Sequence, residues 1–136
     1  MVDALRRAHR IATPEGAVVD LHPSASSAAI EVGDRVTGDV ITGDAPLRHA
    51  AAGAAIATVV AEGLFSLETV VEFPFYTYGD SIEELRESIE ENWRDARVEE
   101  DTMARTRELM QQCSGARPRA RERIILTLLR PRTVHV

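Results

Sequence analysis

A chain of 136 residues with a formal net charge of −6 can bury one modest core, and its charge has the wrong sign for general binding to nucleic acid or to an anionic membrane. Its single cysteine, Cys113, excludes an internal disulfide and a cysteine-based metal cluster. No apolar run is long enough to span a bilayer and no signal peptide is recognisable, so we expect one cytoplasmic domain over residues 1–136. The chain contains arginine but no lysine. Together with the abundance of alanine, valine and glycine, this composition indicates a bacterial protein.

The first pattern along the chain is a helix followed by a short apolar strand. Apolar residues recur at helical spacing over 5–11, after which Pro14 disfavours helix at the preceding residue and Gly16 allows a turn. The next segment is apolar and β-rich, and Pro23 cannot donate to a strand ladder, so we predict a strand over 17–22. A strand of this kind suits a parallel sheet that is covered on both faces.

Two short β-prone runs then flank a glycine. The runs 30–32 and 35–37 surround Gly33-Asp34 and predict a hairpin with a type II′ turn. Gly-Asp pairs recur every five residues here, but this spacing is not that of a calcium-binding loop, so we expect no metal site.

An alanine-rich helix is predicted over 47–62. Asp44 can cap its beginning, and Gly63 follows it as a natural terminator. The small-residue face of this helix could pack on the sheet of the same chain or on a second copy.

The strongest strand pattern runs over 65–76, where residues alternate in character. One face is expected in the core, and it carries Phe65, Leu67, Thr69, Val71, Phe73 and Phe75. Pro74 favours an edge strand or a bulge near the end of this run.

Two helices and a last strand complete the chain. Ser81 and Glu84 form a capping box, a second helix is predicted over 99–112, and the last strand over 119–130. Alternate arginines on that strand could form a nucleic-acid stripe or could pair across strands with Glu68 and Glu72. The acidic total favours pairing, so we expect no nucleic-acid partner.

These patterns resemble the second half of the class I S-adenosylmethionine-dependent methyltransferases. The segment ALRRAHRI-ATPEG-AVVDLHP, residues 4–23, resembles the family's passage from its fourth helix into its fifth strand, with Pro14-Glu15-Gly16 in place of Pro-Gly-Gly. The resemblance implies half of a methyltransferase-like, Rossmann-like α/β fold: a small mixed sheet with an antiparallel pair of long strands, a β-hairpin and an inserted helical hairpin. It also implies that the last strand lies between the strands at 17–22 and 65–76, antiparallel to both.

The cofactor-binding half of that family has no counterpart in this sequence. No G-x-G-x-G loop occurs anywhere in the chain. We therefore expect no cofactor to be bound by the chain alone, and S-adenosylmethionine only if a partner completes the fold. A sheet that lacks its neighbouring strands has an open edge, which predicts a homodimer or a complementing cofactor-binding chain.

Candidate ligand residues are few, and none has the spacing of a known catalytic motif. The histidines are His9, His22, His49 and His135, and no two are spaced as a helical metal pair. Ligands of open α/β sheets bind beyond the carboxyl ends of strands, which favours a crevice lined by Asp20, His22, Tyr76, Tyr78 and Trp93. Each of these five could equally be an ordinary packing or solvent-facing residue.

Three hypotheses follow for the function. The chain is a methyltransferase-like binding or assembly module without catalysis of its own, which we favour. Alternatively it is the substrate-side half of a split methyltransferase, or an unrelated small α+β dimer that binds a small ligand between its helices and its sheet. In this last case the edge of the strand at 17–22 would be covered within the chain.

Overall fold

The computed structural model describes residues 1–133. These residues form an α/β architecture with four helices and an open, five-stranded antiparallel sheet. The helices are α1 (Val2–Ile11), α2 (Ala45–Ala61), α3 (Ile82–Asn92) and α4 (Glu100–Gln112). The strands are β1 (Val18–Pro23), β2 (Ala29–Val32), β3 (Arg35–Asp39), β4 (Phe65–Tyr78) and β5 (Pro118–Pro131). The predicted strands and the helices predicted over 47–62 and 99–112 agree with observed elements to within two residues, whereas α1 begins three residues before the pattern over 5–11. His135 lies outside the described residues.

β5 is the strand with which β1, β2 and β4 all pair. β1 runs antiparallel to it from the pair Val18–Leu129 to the pair Pro23–Ile124. The predicted position of the last strand, between the strand at 17–22 and the long strand at 65–76, is thereby confirmed. The expected mixed sheet is wrong, because β5 runs opposite to its neighbours and so leaves no parallel pair.

β1 is covered on one face only, which corrects the prediction of a parallel strand buried on both faces. Val18 packs into the core of its unit, whereas the next residue, Val19, is 55% exposed and Leu21 is 58% exposed. Successive side chains of a strand point to opposite faces, so the exposed pair marks an uncovered face of β1.

β4 is also far more exposed than its sequence predicts. Phe65 is fully buried, but Leu67, Val71 and Phe75 are each about half exposed. The reason is its place in the sheet: β4 pairs only with β5 among the described strands, so it is an edge strand, as Pro74 indicated.

The described chain divides into two compact units. The first contains Met1–Ala25, Leu47–Phe73 and the chain from Ile124 onward; the second contains Ser26–Pro46 and Pro74–Arg123. No helix of the described residues is both long enough and apolar enough to cross a membrane.

The core of the first unit forms where α1 and α2 meet strand residues. Its buried members are Leu5, Ala55, Ile56, Val59, Phe65 and Leu129. His9 adds an edge-to-face contact with the Phe65 ring at 5.4 Å between centroids. Gly63 follows the end of α2 at Ala61, and its φ of +78° is the left-handed conformation that its terminating role requires.

The core of the second unit forms around the β2–β3 hairpin and the helices α3 and α4. Its buried members are Ile30, Val40, Ile82, Leu85, Ile89, Val98, Met103 and Ala120. The capping box is confirmed, since the Ser81 hydroxyl accepts a hydrogen bond from the Glu84 amide at 3.1 Å. Gly33, at the hairpin turn, has the positive φ of +61° that a type II′ turn requires at its first central position.

Two arginines of β5, Arg119 and Arg121, pair with a carboxylate other than the expected Glu68 and Glu72. Arg119 and Arg121 both lie against Glu31 on β2, with nitrogen–oxygen distances of 2.7 and 3.4 Å. Glu68 of β4 instead binds Arg130, at 2.6 Å. Glu31 is only 3% exposed, so two guanidinium groups compensate a buried negative charge that would otherwise be costly.

β3 and α4 approach each other most closely at Gly38, which predicts that Gly38→Ala destabilises the protein. A Cβ atom at this position would lie 2.2 Å from Oγ1 of Thr102, a residue that is itself buried. We expect the free energy of unfolding to fall by about 1–3 kcal/mol, the usual cost of overpacking. Urea denaturation at constant pH measures it.

Gly53→Ala is the matched control. Gly53 lies inside α2, and no atom lies within 4 Å of the position of its Cβ, so alanine should stabilise the protein by about 1 kcal/mol through helix propensity. A Gly38→Ala protein as stable as the wild type would contradict the close approach of β3 to α4.

Candidate functional site

An apolar cleft of about 500 Å³ lies in the first unit, between α2 and the strands of the sheet. Its walls are Gly53, Ile56, Ala57, Val60 and Ala61 of α2, Leu67 and Val70 of β4, Ile125 and Thr127 of β5, and His22 of β1. The cleft has space because of small residues on α2. Gly53, Ala57 and Ala61 recur at intervals of four residues, so they lie along one face of the helix, where their side chains occupy almost no volume.

Among the described residues His22 is the only one with a ring that lines the cleft, and Asp20 holds this ring in place. The Asp20 carboxylate accepts a hydrogen bond from Nδ1 of His22 at 2.5 Å, and both side chains are largely buried. In the neutral ring the proton therefore sits on Nδ1, which leaves Nε2 as an acceptor. No described residue makes a hydrogen bond to Nε2.

Thr127 supplies a second polar group to the cleft. The residue is 2% exposed, and no described residue makes a hydrogen bond to its hydroxyl. Since no fully buried side-chain oxygen or nitrogen of the described chain lacks a partner, this hydroxyl must reach the open space of the cleft. Thr127 lies opposite Asp20 in the β1–β5 pairing and is therefore a diagonal neighbour of His22 on the same face, with α-carbons about 7–8 Å apart.

His49 is a residue of this region that the sequence analysis did not single out. Burial is the main cause that lowers its pKa, a hydrogen bond with the Ser24 backbone partly opposes this, and the positive charge of Arg48 lowers the pKa further. The electrostatic effect of His22 on this pKa links the end of β1 to the first turns of α2, a relation that no local sequence pattern indicates.

The structure divides the five predicted ligand residues between its two units. Asp20 and His22 are together in the first unit, whereas Tyr76, Tyr78 and Trp93 belong to the second. Trp93 is half-buried and packs against the hydrophobic core of that unit, which is a structural role.

The two tyrosines form a separate stack with arginines. The Arg119 guanidinium lies 4.2 Å from the centroid of the Tyr76 ring and donates a hydrogen bond to the Tyr78 hydroxyl at 3.2 Å. Arg117 lies 5.3 Å from the Tyr78 centroid. These are cation–π contacts at the surface of the strands. The Arg119 guanidinium also donates hydrogen bonds to Tyr78 and Glu31, so its N–H groups are already engaged.

The polar groups that the described residues present to the cleft are those of His22 and Thr127. A carboxylate that orients a histidine is the usual support of a general base, but Thr127 makes no hydrogen bond to His22, so no nucleophile is aligned with it. Within residues 1–133, no group of three or more histidine, cysteine, aspartate or glutamate side chains could hold a metal ion.

No protein-family profile, curated protein or solved structure matches this chain.

The lowered pKa of His49 predicts that His49→Gln makes the protein less sensitive to acid. The folded state favours the neutral ring, so the unfolded chain, whose histidine has a pKa of about 6.5, binds the proton more readily. The contribution of the neutral His49 ring to the free energy of unfolding is present above about pH 6.5. It is lost as the pH falls towards the lowered pKa of His49 in the folded protein.

Urea denaturation of both proteins at pH 7.5 and pH 5.5 measures the effect. The variant should gain stability relative to the wild type at the lower pH. Equal losses of stability on acidification in the two proteins would contradict the burial of His49.

Proposed function

We propose that this chain is a non-catalytic binding module built on a methyltransferase-like half-fold, and that it holds a small apolar molecule in the cleft of its first unit. The observation that carries the proposal is the cleft itself. Its volume of about 500 Å³ falls within the range of about 300–1,000 Å³ that small-molecule sites occupy, and its walls are apolar except for His22 and Thr127.

The absence of an aligned nucleophile supports binding rather than catalysis. Asp20 orients His22, but neither a hydroxyl nor a thiol among the described residues makes a hydrogen bond to its Nε2 atom. The sequence also lacks the G-x-G-x-G loop that would cradle S-adenosylmethionine.

Filling the cleft should abolish binding, and Ala57→Leu is the variant that fills it. The probe is the neutral apolar dye N-phenyl-1-naphthylamine, whose fluorescence rises on transfer from water to an apolar site. We expect the variant to bind the dye at least about tenfold more weakly, because leucine occupies the space that the ligand needs.

Ala51→Leu is the matched control, since Ala51 lies exposed on the same helix and does not line the cleft. It should bind the dye as the wild type does. Equal affinity of the wild type and Ala57→Leu would show that the dye binds elsewhere and would overturn the proposal.

Assembly is a second candidate role, and the free edge of β1 favours it. Among the described strands β1 pairs with β5 alone, and its residues Val19 and Leu21 are more than half exposed. An unpaired strand edge beside an apolar face is a site at which a second chain can add a strand. A homodimer or a complementing cofactor-binding chain would cover both features.

Titration calorimetry with S-adenosylmethionine, with the mass of the same sample measured in solution, separates these possibilities. We expect no heat of binding and the mass of a dimer, because the chain lacks a cofactor loop and has an open edge. Micromolar binding of S-adenosylmethionine would contradict the non-catalytic proposal. A stable monomer without binding would contradict the homodimer and favour a complementing chain.

A further inference from the structure

We infer that the ligand of the cleft is an apolar alcohol or phenol whose hydroxyl group lies between His22 and Thr127. This inference rests on the proposed function, since it specifies the chemical class of the molecule that the cleft binds. The cleft offers an apolar interior with two polar atoms on one wall, and that combination selects one kind of molecule.

The two polar atoms are complementary to a hydroxyl group. Nε2 of His22 accepts a hydrogen bond because Asp20 fixes the proton on Nδ1, while the Thr127 hydroxyl can donate one. A ligand hydroxyl can donate to Nε2 and accept from Thr127 at the same time. The diagonal spacing of the two residues on one face of the β1–β5 pair leaves room for one such group between them.

In the free protein the Thr127 hydroxyl has no partner among the described residues, although the residue is only 2% exposed. Water can reach this hydroxyl, and a ligand that displaced the water without offering a hydrogen bond would leave Thr127 unpaired, which costs free energy. The interaction therefore gives selectivity as well as affinity, because an apolar molecule of the same shape leaves the hydroxyl unpaired.

Charged head groups do not fit the same wall. The described residues that line the cleft include no arginine or lysine, and the Asp20 carboxylate, which accepts the hydrogen bond from His22, is not among them. A carboxylate or an ammonium group would enter without a fixed counter-charge and would lose its hydration. A neutral hydroxyl group has neither problem.

The test compares two probes of nearly equal shape, 2-naphthol and naphthalene, by fluorescence titration of the wild type, Thr127→Val and Thr127→Ser. The wild type should prefer 2-naphthol. Thr127→Val, which removes the hydroxyl, should bind 2-naphthol about two- to tenfold more weakly, the range of one neutral hydrogen bond, and should bind naphthalene as before. Thr127→Ser, which retains the hydroxyl, should keep the preference.

Ala57→Leu in the same titrations distinguishes this inference from the proposed function. If Ala57→Leu abolishes binding of both probes, the cleft is the binding site. If, in addition, Thr127→Val weakens the binding of both probes equally or of neither probe, the hydroxyl inference is overturned. If Ala57→Leu changes neither affinity, or neither probe binds the wild type, the proposed function fails and the inference fails with it.

Discussion

Antiparallel pairing along β5 is the constraint on which the other strands depend. β1, β2 and β4 all bond to this strand, and only β3 is held without it, through the β2–β3 hairpin. The sequence of β5 matches its partners. Its apolar stretch from Ile124 to Leu129 lies opposite β1, and its arginine-rich stretch lies opposite β2, where Glu31 compensates two guanidinium groups. A shift of one residue in this register would turn both sets of side chains to the wrong faces.

The cleft exists because α2 has unusually little side-chain volume where it faces the sheet. A helix with leucine at Gly53, Ala57 and Ala61 would close the space, and the result would be an ordinary core. Instead Ala55, Ile56 and Val59 hold the helix in the first unit while the line of small residues leaves a gap. The Asp20–His22 pair and Thr127 supply the polar groups at that gap, in an otherwise apolar setting.

The free edge of β1 and the cleft are two separate consequences of the same small sheet. In a larger sheet a neighbouring strand would cover that edge, and covering elements would bury Val19 and Leu21. Here both side chains are more than half exposed, and β1 pairs on one side only. A methyltransferase-like half-fold accounts for this openness, and an assembly partner would cover it; both remain proposals that rest on the pattern of the strands.

The sequence by itself determined the elements and their order. Local signals set them: Pro14 and Gly16 before β1, the Ser81–Glu84 capping box, the Gly33 turn and the glycine after α2. It also identified Asp20 and His22 as ligand candidates, because they lie towards the end of the first strand. It did not identify Thr127 or His49, whose importance comes from neighbours far away in the chain.

Only the tertiary structure decided which faces are buried and which polar groups meet. Alternation over 65–76 predicted a core face for β4, but burial depends on what covers a strand, and nothing in a period of two specifies the cover. In the same way Arg119 and Arg121 could have met Glu68 or Glu72, and the register placed these two arginines against Glu31 instead. Periodicity and turn residues act over a few positions, whereas pairing partners are selected by the packing of the whole sheet.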